Sequence, residues 1–560
     1  FGSSSRLGSA EGLQLHMCLG MAQLLQVALV VVAHLSAACA ASPQEKHALD
    51  ETAQAPLKLL SMGVSAKSRF IATASMAAAA ARRGHHVTFM AMEGTRAWLS
   101  EDALADKNFK FVGIPGNVTE IEAATREVAG LMTEGKWFQV YSRAKEMMRL
   151  LESVDNAIVD AYCHDGANLA EFDAVVLDLS SASGIAACQA QGFPVAIVNA
   201  QILQYVMPSA PDRLNPGLAS VAIFGMGLTN EILASPSPMG FVRRFQNLVG
   251  LLLDDWTMKP LFMGPAIGTA LNLIMTIPDI EGPREVAPNL KYVGPFVEEG
   301  RQALNAELDV WLAEGGGAGV VFVSLGTILE SREHIDAVAR ATQRLAEGPE
   351  GWKVLWAARQ FQQNLIPQDV MDSFRKNQRV RIGADLPQLQ VLRKQSVKCF
   401  VTHGGHNSLH EGLYYEKPLV LIPGAIDQKY NAMRAAETGA ALLSEIDSEA
   451  VVVAVRRVAA DPRYARNAAR LARLLRRAGG AEAAVAHVAD LVRVYGGDVS
   501  HLAPNRFRAP QYLQWGLDTL LAVALALWLS KRLLSCFCMR CCKCCSWPRS
   551  SHTEQAKKHD

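Results

Sequence analysis

The sequence predicts an α/β protein built from two doubly wound domains, and three observations predict it. Its 560 residues exceed what one core serves, and two domains of roughly 200–250 residues are ordinary at that length. Short apolar runs that do not alternate recur between alanine-rich helical stretches, the pattern of parallel strands joined by crossover helices. The runs fall into two series, separated near 290–305 ("LKYVGPFVEEGRQALN"), where Gly294-Pro295 breaks structure ahead of a charged helix.

The first series comprises "LKLLSM" (57–62), "HVTFMAM" (86–92), "FKFVGI" (109–114), "AVVLDL" (174–179) and "VAIVNA" (195–200). The second comprises "VVFVSL" (320–325), "KVLWAA" (353–358), "RVRIGA" (379–384), "KCFVTH" (398–403) and "LVLIPG" (419–424). Each series supports one doubly wound sheet. The glycine run "GGGAG" (315–319) precedes a strand instead of following one, so it reads as a loop and not as a dinucleotide fingerprint. Formal charge balances to +1, which gives no support to a nucleic-acid partner.

The two ends differ from the body. "LLQVALVVVAHLSAACA" (24–40) reads as a secretory leader whose A-x-A site closes at Ala38-Cys39-Ala40, with a non-cleaved anchor as the alternative. "YLQWGLDTLLAVALALWLSKRLL" (512–534) contains about 18 residues that at ~1.5 Å each cover ~27 Å, enough to cross a bilayer. Trp515 and Trp528 suit the interfaces, Lys531 and Arg532 the far end, and Asp518 belongs at the lumenal boundary. Six of the eleven cysteines crowd into "CFCMRCCKCC" (536–545), as S-acylation sites or juxtamembrane thiols, with zinc as the lesser reading. Cys163, Cys188 and Cys399 are too few and too scattered for a disulfide framework. Lys557-Lys558 near the C-terminus resembles a dilysine retrieval signal, and Asn117-Val118-Thr119 is a sequon. Together these place a lumenal body and a cytosolic tail on a single-pass protein of the endoplasmic reticulum membrane. Between 203 and 253 the pattern loosens into Pro, Ser, Met and aromatic residues, either a lining for a greasy ligand or an irregular core cover.

The chemistry concentrates in "FVTHGGHNSLHEGL" (400–413). An apolar strand ends at His403, Gly404-Gly405 turn the chain, and a helix starts. Strand, glycine turn and helix N-terminus present free N–H groups and a positive dipole end to a phosphate. Asn407 and Ser408 suit that first turn. A metal reading needs His403, His406 and His410 to converge, and the glycines let His403 point independently.

The block 400–443 resembles the donor-binding signature of the UDP-glycosyltransferases of GT-B fold, and in particular the membrane-anchored animal members that include the glucuronosyltransferases. The resemblance extends through "NLKYVGPF" (289–296), "VVFVSLGT" (320–327), "DLPQLQVL" (385–392), "ADPRYARNAARL" (460–471), "LDTLLAVALAL" (517–527) and the cysteine-rich tail. It implies two domains facing a cleft: an acceptor-binding domain over 42–297 and a UDP-sugar-binding domain over 298–511. A leader segment over 1–41 precedes them, and a transmembrane helix over 512–534 and a tail over 535–560 follow. It implies that His403, Gly405, Asn407 and Ser408 cradle the diphosphate and that Ser324, Gly326 and Thr327 belong to the loop facing it. Glu411 takes the ribose hydroxyls, Gln388 lies in the uracil segment, and Asp427 and Gln428 bind the transferred sugar. The implied reaction is inverting hexosyl transfer, from UDP-glucose or UDP-glucuronate to a lipophilic small-molecule acceptor. The UDP-sugar is a co-substrate, and no cofactor or metal is implied. A glucuronate carboxylate would want a cation, for which Arg69 and Arg359 are candidates. The oligomeric state, a homo-oligomer included, is left open.

Two positions depart from the family pattern. Asp385 stands where an aromatic residue stacks on uracil, and Arg69, in "KSRFIATASMAAAAARRGH", stands where the catalytic histidine belongs. The histidine's usual partner is retained as Asp178. Arginine cannot take a proton from an acceptor, and an Arg69–Asp178 ion pair is the expected outcome. Transfer then falls to acceptors that need little deprotonation, such as amines, or to Asp178 as base. The alternative is a non-catalytic lumenal protein that binds UDP-sugar or a lipophile.

Overall fold

A computed structural model describes residues 55–64, 66–158, 171–179, 181–199, 269–282, 286–298, 303–425 and 427–503, with scattered positions between 521 and 531. Among these residues two parallel sheets form. The first contains β1 (Lys58–Met62), β2 (His86–Met92), β3 (Phe109–Ile114), β4 (Ala174–Asp178), β5 (Val195–Asn199), β6 (Leu271–Ile274) and β7 (Leu290–Tyr292), in the order 3-2-1-4-5-6-7. The second contains β8 (Val320–Ser324), β9 (Lys353–Ala357), β10 (Val380–Gly383), β11 (Val397–Thr402), β12 (Leu419–Leu421) and β13 (Ala441–Leu443), in the order 10-9-8-11-12-13. β4, β5 and β8 are buried along their whole length, because helices cover both faces of each sheet.

Strand order reverses between β1 and β4 in one sheet and between β8 and β11 in the other. A crevice opens outside the carboxyl ends of the strands at such a reversal. From β1 the chain enters helix α1 (Lys67–Arg82), whose alanines from Ala77 to Ala81 are buried and let the helix lie close on the sheet. Phe70 packs edge-on against Phe89 and Trp98, each at 5.3 Å between ring centroids. From β11 the chain enters helix α2 (His406–Tyr414).

The expected strands all form, β2 and β3 with the expected bounds and the others trimmed or shifted by a residue or more at their ends. β6, β7 and β13 were not expected, and "LKY", assigned to the joint between domains, is β7. The domain division also differs. Helix α3 (Pro462–Arg477) places Ala468, Leu471 and Leu475 in the core around Phe322 and Phe400 of the second sheet. Helix α4 (Gly480–Arg493) then crosses back, and Ala484, Val485, Val488 and Leu491 join Phe70 and Phe89 in the core of the first. The crossing needs glycine: Gly480 has φ +59°, its N–H donates to the Val293 carbonyl at 2.7 Å, and a Cβ there would sit 2.8 Å from the Pro295 carbonyl. Residues 480–503, assigned by sequence to the second domain, thus complete the first.

The leader, the loose segment 203–253, Cys163 and the cysteine-rich tail lie outside the described residues. Cys188 is disulfide-bonded and Cys399 is a free, buried thiol. The expected membrane span lies mostly outside the described residues too, and no described helix is long and apolar enough to cross a membrane. Asn117 of the sequon is exposed and caps the helix that follows, accepting from the Glu120 N–H at 3.3 Å.

The two sheets meet along a seam centred on α2. His406 Nε2 faces the Met275 carbonyl at 3.0 Å, so it carries the proton and donates. His410 Nδ1 faces the His406 carbonyl at 2.8 Å and likewise donates, which leaves His410 Nε2 to accept from the Thr276 hydroxyl at 2.7 Å. The two rings lie tilted by 33° with centroids 4.1 Å apart. Ile277 and Ile280 follow Thr276 into the core beneath α2, while Ala425 and Tyr430 of the second domain reach into the first domain's core.

Burial holds both imidazoles neutral. It pulls His410 down to about 4, and it pulls His406 well below its ordinary value, with the charge of His410 adding to the effect. The unfolded chain therefore binds more protons than the folded one as pH falls from about 6.5, so stability declines with falling pH across that window. His410→Gln, which keeps an acceptor for Thr276 without a titrating ring, is expected to flatten the dependence of the urea midpoint on pH between 4 and 6.5. An unchanged slope would remove His410 from the seam's pH response.

Candidate functional site

The carboxyl ends of the two sheets enclose a cavity of about 740 Å³. On the second domain's side its floor is the turn after β11. Gly404, with φ +76°, reverses the chain, and Gly405 is the N-cap of α2 without any side-chain cap. The first N–H groups of the helix are thus left to a ligand, and Gly405, Asn407 and Ser408 line the cavity there.

His403 stands beside that turn, buried, between two glycines. A Cβ at Gly326 or at Gly405 would lie 2.4 Å from its Nε2, so both positions are glycine to admit the ring. Gly326 also has φ +77°, where a side chain is strained in any case. Burial pulls the pKa of His403 down to about 4, with His334 adding and a hydrogen bond to the Ser324 backbone opposing. The imidazole is neutral near pH 7 and has a single N–H, for which a ligand competes with the Ser324 carbonyl. Ser324, the last residue of β8, and Gly326 and Thr327 after it line the cavity beside the ring.

Toward β9 and β10 lie the residues expected at the nucleoside end. Gln388 Nε2 donates to Glu411 Oε2 at 2.6 Å and to Ser408 Oγ at 3.4 Å, which brings three separately predicted residues together. Arg359 follows β9 and Asp385 follows β10, and their side chains form an ion pair on the cavity wall. The buried Gln362 fixes Arg359: its Oε1 accepts from the Arg359 N–H at 3.0 Å, while its amide donates to the Gly326 and Leu329 carbonyls.

Toward β12 lie Asp427 and Gln428. Asp427 accepts from Asn431 Nδ2 at 2.7 Å. Burial raises its pKa, and the Asn431 bond and the positive charge of Arg69 pull it back. Gln428 Oε1 accepts the N–H groups of Gly424 and Ala425 at 2.9 and 3.1 Å, so only its amide NH₂ remains for a ligand.

The first domain closes the cavity with α1. Arg69, in its first turn, donates from Nη1 to Asp178 Oδ1 at 3.1 Å, so the expected ion pair forms. Asp178 ends β4, is 1% exposed and lies behind Arg69, outside the cavity wall, whereas Arg69 is 19% exposed and faces the interior. Removing one partner of a pair this deep costs about 3–5 kcal/mol, because the other is left charged in a poor solvent. Asn407 Nδ2 donates to the Ser68 carbonyl at 2.9 Å, tying the glycine turn to the start of α1.

Several residues here were not found by sequence reasoning. Ile71, Trp98, Leu99, Val128, Met132 and Phe296 form an apolar wall on the first domain's side. Glu298, held by Ser100 at 2.6 Å and Ser75 at 3.5 Å, sits among them. Arg126 reaches across to the Phe361 ring of the second domain, 5.4 Å from its centroid. No spacing marks these residues, because they come from four separate segments. His406 and His410 turn to the seam while His403 turns to the cavity, and no group of three His, Cys, Asp or Glu among the described residues is placed to hold a metal.

Residues 57–479 match the family model described as UDP-glucoronosyl and UDP-glucosyl transferase. UDP-glucuronosyltransferase 3A2 of Mus musculus is 27% identical over 363 residues, which is 59% of this chain and 64% of the relative. UDP-glucuronosyltransferase 3A1 of Mus musculus is 30% identical over 261 residues, 45% of this chain and 48% of the relative. The chain thus spans 48–64% of the length of these curated relatives. Among solved structures, Os79 from O. sativa in complex with UDP superposes with a TM-score of 0.58 at 16% identity, covering 77% of this chain and 99% of that one. A UDP-glucosyltransferase from Polygonum tinctorium, in complex with 3,4-dichloroaniline, does so with a TM-score of 0.55 at 17% identity, covering 78% and 99%. These likenesses show the GT-B fold. With the family model matched over most of its length, the chain belongs to the UDP-glucoronosyl and UDP-glucosyl transferase family.

Proposed function

We propose that this chain is a UDP-dependent hexosyltransferase, and the observation that carries the proposal is the uncapped N-terminus of α2 with neutral His403 beside it on one cavity wall. In this reading the diphosphate lies on the N–H groups of 405–408, where the dipole of α2 and the His403 N–H stabilise the negative charge that grows as UDP leaves. The ribose faces Glu411 and Gln388. The hexose lies toward Asp427 and the Gln428 amide, below Arg69. The chain's own groups supply this stabilisation, so the reading needs no metal. Transfer proceeds with inversion: the acceptor attacks the anomeric carbon from the first domain's side as the bond to the diphosphate breaks.

Of the two candidate cations, Arg69 stands on the hexose side and Arg359 across the cradle from it, which supports Arg69 as the partner of a glucuronate carboxylate and Arg359 as part of the nucleoside pocket. The guanidinium paired with Asp385 offers a π-face that Asp385 itself lacks, which supports Arg359 as the group on which uracil stacks. The apolar wall supports a lipophilic acceptor. We place the body in the endoplasmic reticulum lumen, anchored by the segment 512–534, on the strength of the leader, the exposed sequon and the dilysine end.

Arg69 cannot accept a proton, and Asp178 lies behind it, which supports acceptors that attack without prior deprotonation, such as amines. The same ion pair favours a second reading, donor binding without transfer.

Three outcomes are expected. The full chain, assayed with UDP-glucose and UDP-glucuronate in EDTA, transfers to an aryl amine and not to the matching phenol, and Arg69→His, which retains a partner for Asp178, gains the phenol. UDP bound without transfer to either acceptor would establish the second reading, and no UDP binding at all would sink both. Gly326→Ala weakens UDP about tenfold or more, roughly the worth of one charge-assisted hydrogen bond, because the new methyl displaces His403. Arg359→Lys keeps the charge and loses the plane, so UDP weakens about tenfold, within the ~1–3 kcal/mol of a stacked base, while inorganic pyrophosphate binds as before. Full UDP affinity in that variant would reduce Arg359 to a point charge.

A further inference from the structure

A second cavity, of about 530 Å³, opens at the other end of the second sheet, where β11 and β12 begin. The six residues of β11 separate it from His403, a distance of roughly 20 Å at ~3.3 Å per residue. Arg393, Lys398, Lys417 and Arg476 line it. Glu416 is the one carboxylate among its described lining residues, and Arg476 already holds it at 3.0 Å. No described carboxylate forms an ion pair with Arg393, Lys398 or Lys417. On α3, Ala465 and Arg476 reach the cavity, and the exposed Arg466, Arg473 and Arg477 extend the positive surface beside it.

Lys417 distinguishes this cluster from a solvated basic face. It is 8% exposed, and its ammonium donates to the Lys394 carbonyl at 2.8 Å, which uses one of three N–H donors. A buried ammonium without a carboxylate is costly. Burial pulls its pKa down to about 8, with Lys398 adding and Glu416 opposing. The turn that buries it is held in a disfavoured conformation: Glu416 has φ +63°, the one non-glycine residue with positive φ among the described residues. Backbone strain and uncompensated charge coincide where α2 hands the chain to β12.

We propose that this cavity binds the phosphate of a multiply charged anion, with Lys417 at its base and Arg393, Lys398 and Arg476 around its mouth. Guanidinium and ammonium donors converging from three segments match phosphate oxygens, and the anion supplies the charge that the protein omits. A phospholipid headgroup and a soluble phosphate share this chemistry. The site is separate from the cleft and does not depend on what the cleft binds.

Calorimetry on the full chain, with inorganic pyrophosphate as probe and UDP present to occupy the cleft, tests the assignment. Arg393→Ala with Lys398→Ala changes only exposed side chains and is expected to weaken pyrophosphate about tenfold or more, the loss of charge-assisted bonds, with UDP affinity unchanged. Lys417→Met removes the inner charge and is expected to abolish it. Co-sedimentation with phosphatidylcholine vesicles, with and without phosphatidic acid, separates the sources: retention on phosphatidic acid that the double variant loses assigns a lipid headgroup, and pyrophosphate binding without retention assigns a soluble anion. Failure of the native chain to bind pyrophosphate or vesicles, or binding that the double variant leaves intact, overturns the proposal.

Discussion

Helix α2 serves both halves of this molecule at once. Its N–H groups open on the cavity while His406 and His410, on another face of the same helix, hydrogen-bond to Met275 and Thr276 at the end of the first sheet. A parallel sheet alone offers a crevice at its point of reversal, which is half of a site. Here two crevices become one because the helix that binds at one end is fixed at its side. Cavity size, the contact of Asn407 with Ser68, and the approach of Arg69 toward Asp427 all follow from that registration.

The two walls of the cavity differ in how completely they fit group transfer. The wall on the second domain's side is over-determined: glycine at two positions to admit His403, Gln362 bracing the Gly326 loop, Gln388 bonded to Glu411 and Ser408. The facing wall offers apolar surface and an arginine locked to a buried aspartate. Where a proton would be taken, this chain has a permanent cation. The charge that pairs with Asp178 preserves the shape of the first domain's reversal point while changing the chemistry available there.

Much of this was legible in the sequence. Strands of five or six buried residues between helices declare themselves, and the strand–glycine–helix turn at 400–413 is visible in the sequence and forms as expected. The Arg69–Asp178 pair could be anticipated only through the family resemblance, which places a histidine and its aspartate partner at these two positions; Asp178 ends a recognisable strand, whereas Arg69 lies in the first turn of α1. The three-residue strands β7 and β13 and the four-residue β6 were missed, whereas β12, also three residues long, sits in the longer run "LVLIPG" (419–424) that the sequence shows. Arg359 and Asp385 stand 26 positions apart with nothing in either neighbourhood to link them. His406 and His410 carry the i,i+4 spacing of a possible metal pair, and only the tertiary structure shows that they meet a backbone carbonyl and a threonine instead. Periodicity likewise makes α4 an amphipathic helix without saying which core receives its apolar face.

That last point bears on how the molecule is made. The strands of the first sheet emerge early from the ribosome, yet the face of α1 and β2 around Phe70 and Phe89 stays uncovered until α4 has been synthesised. Domains generally fold as units in order of synthesis. This one cannot finish in that order: its last layer is encoded some 190 residues after its seventh strand, on the far side of an entire second domain. The nascent chain must hold an open apolar face throughout that interval, and the second domain is complete before the first.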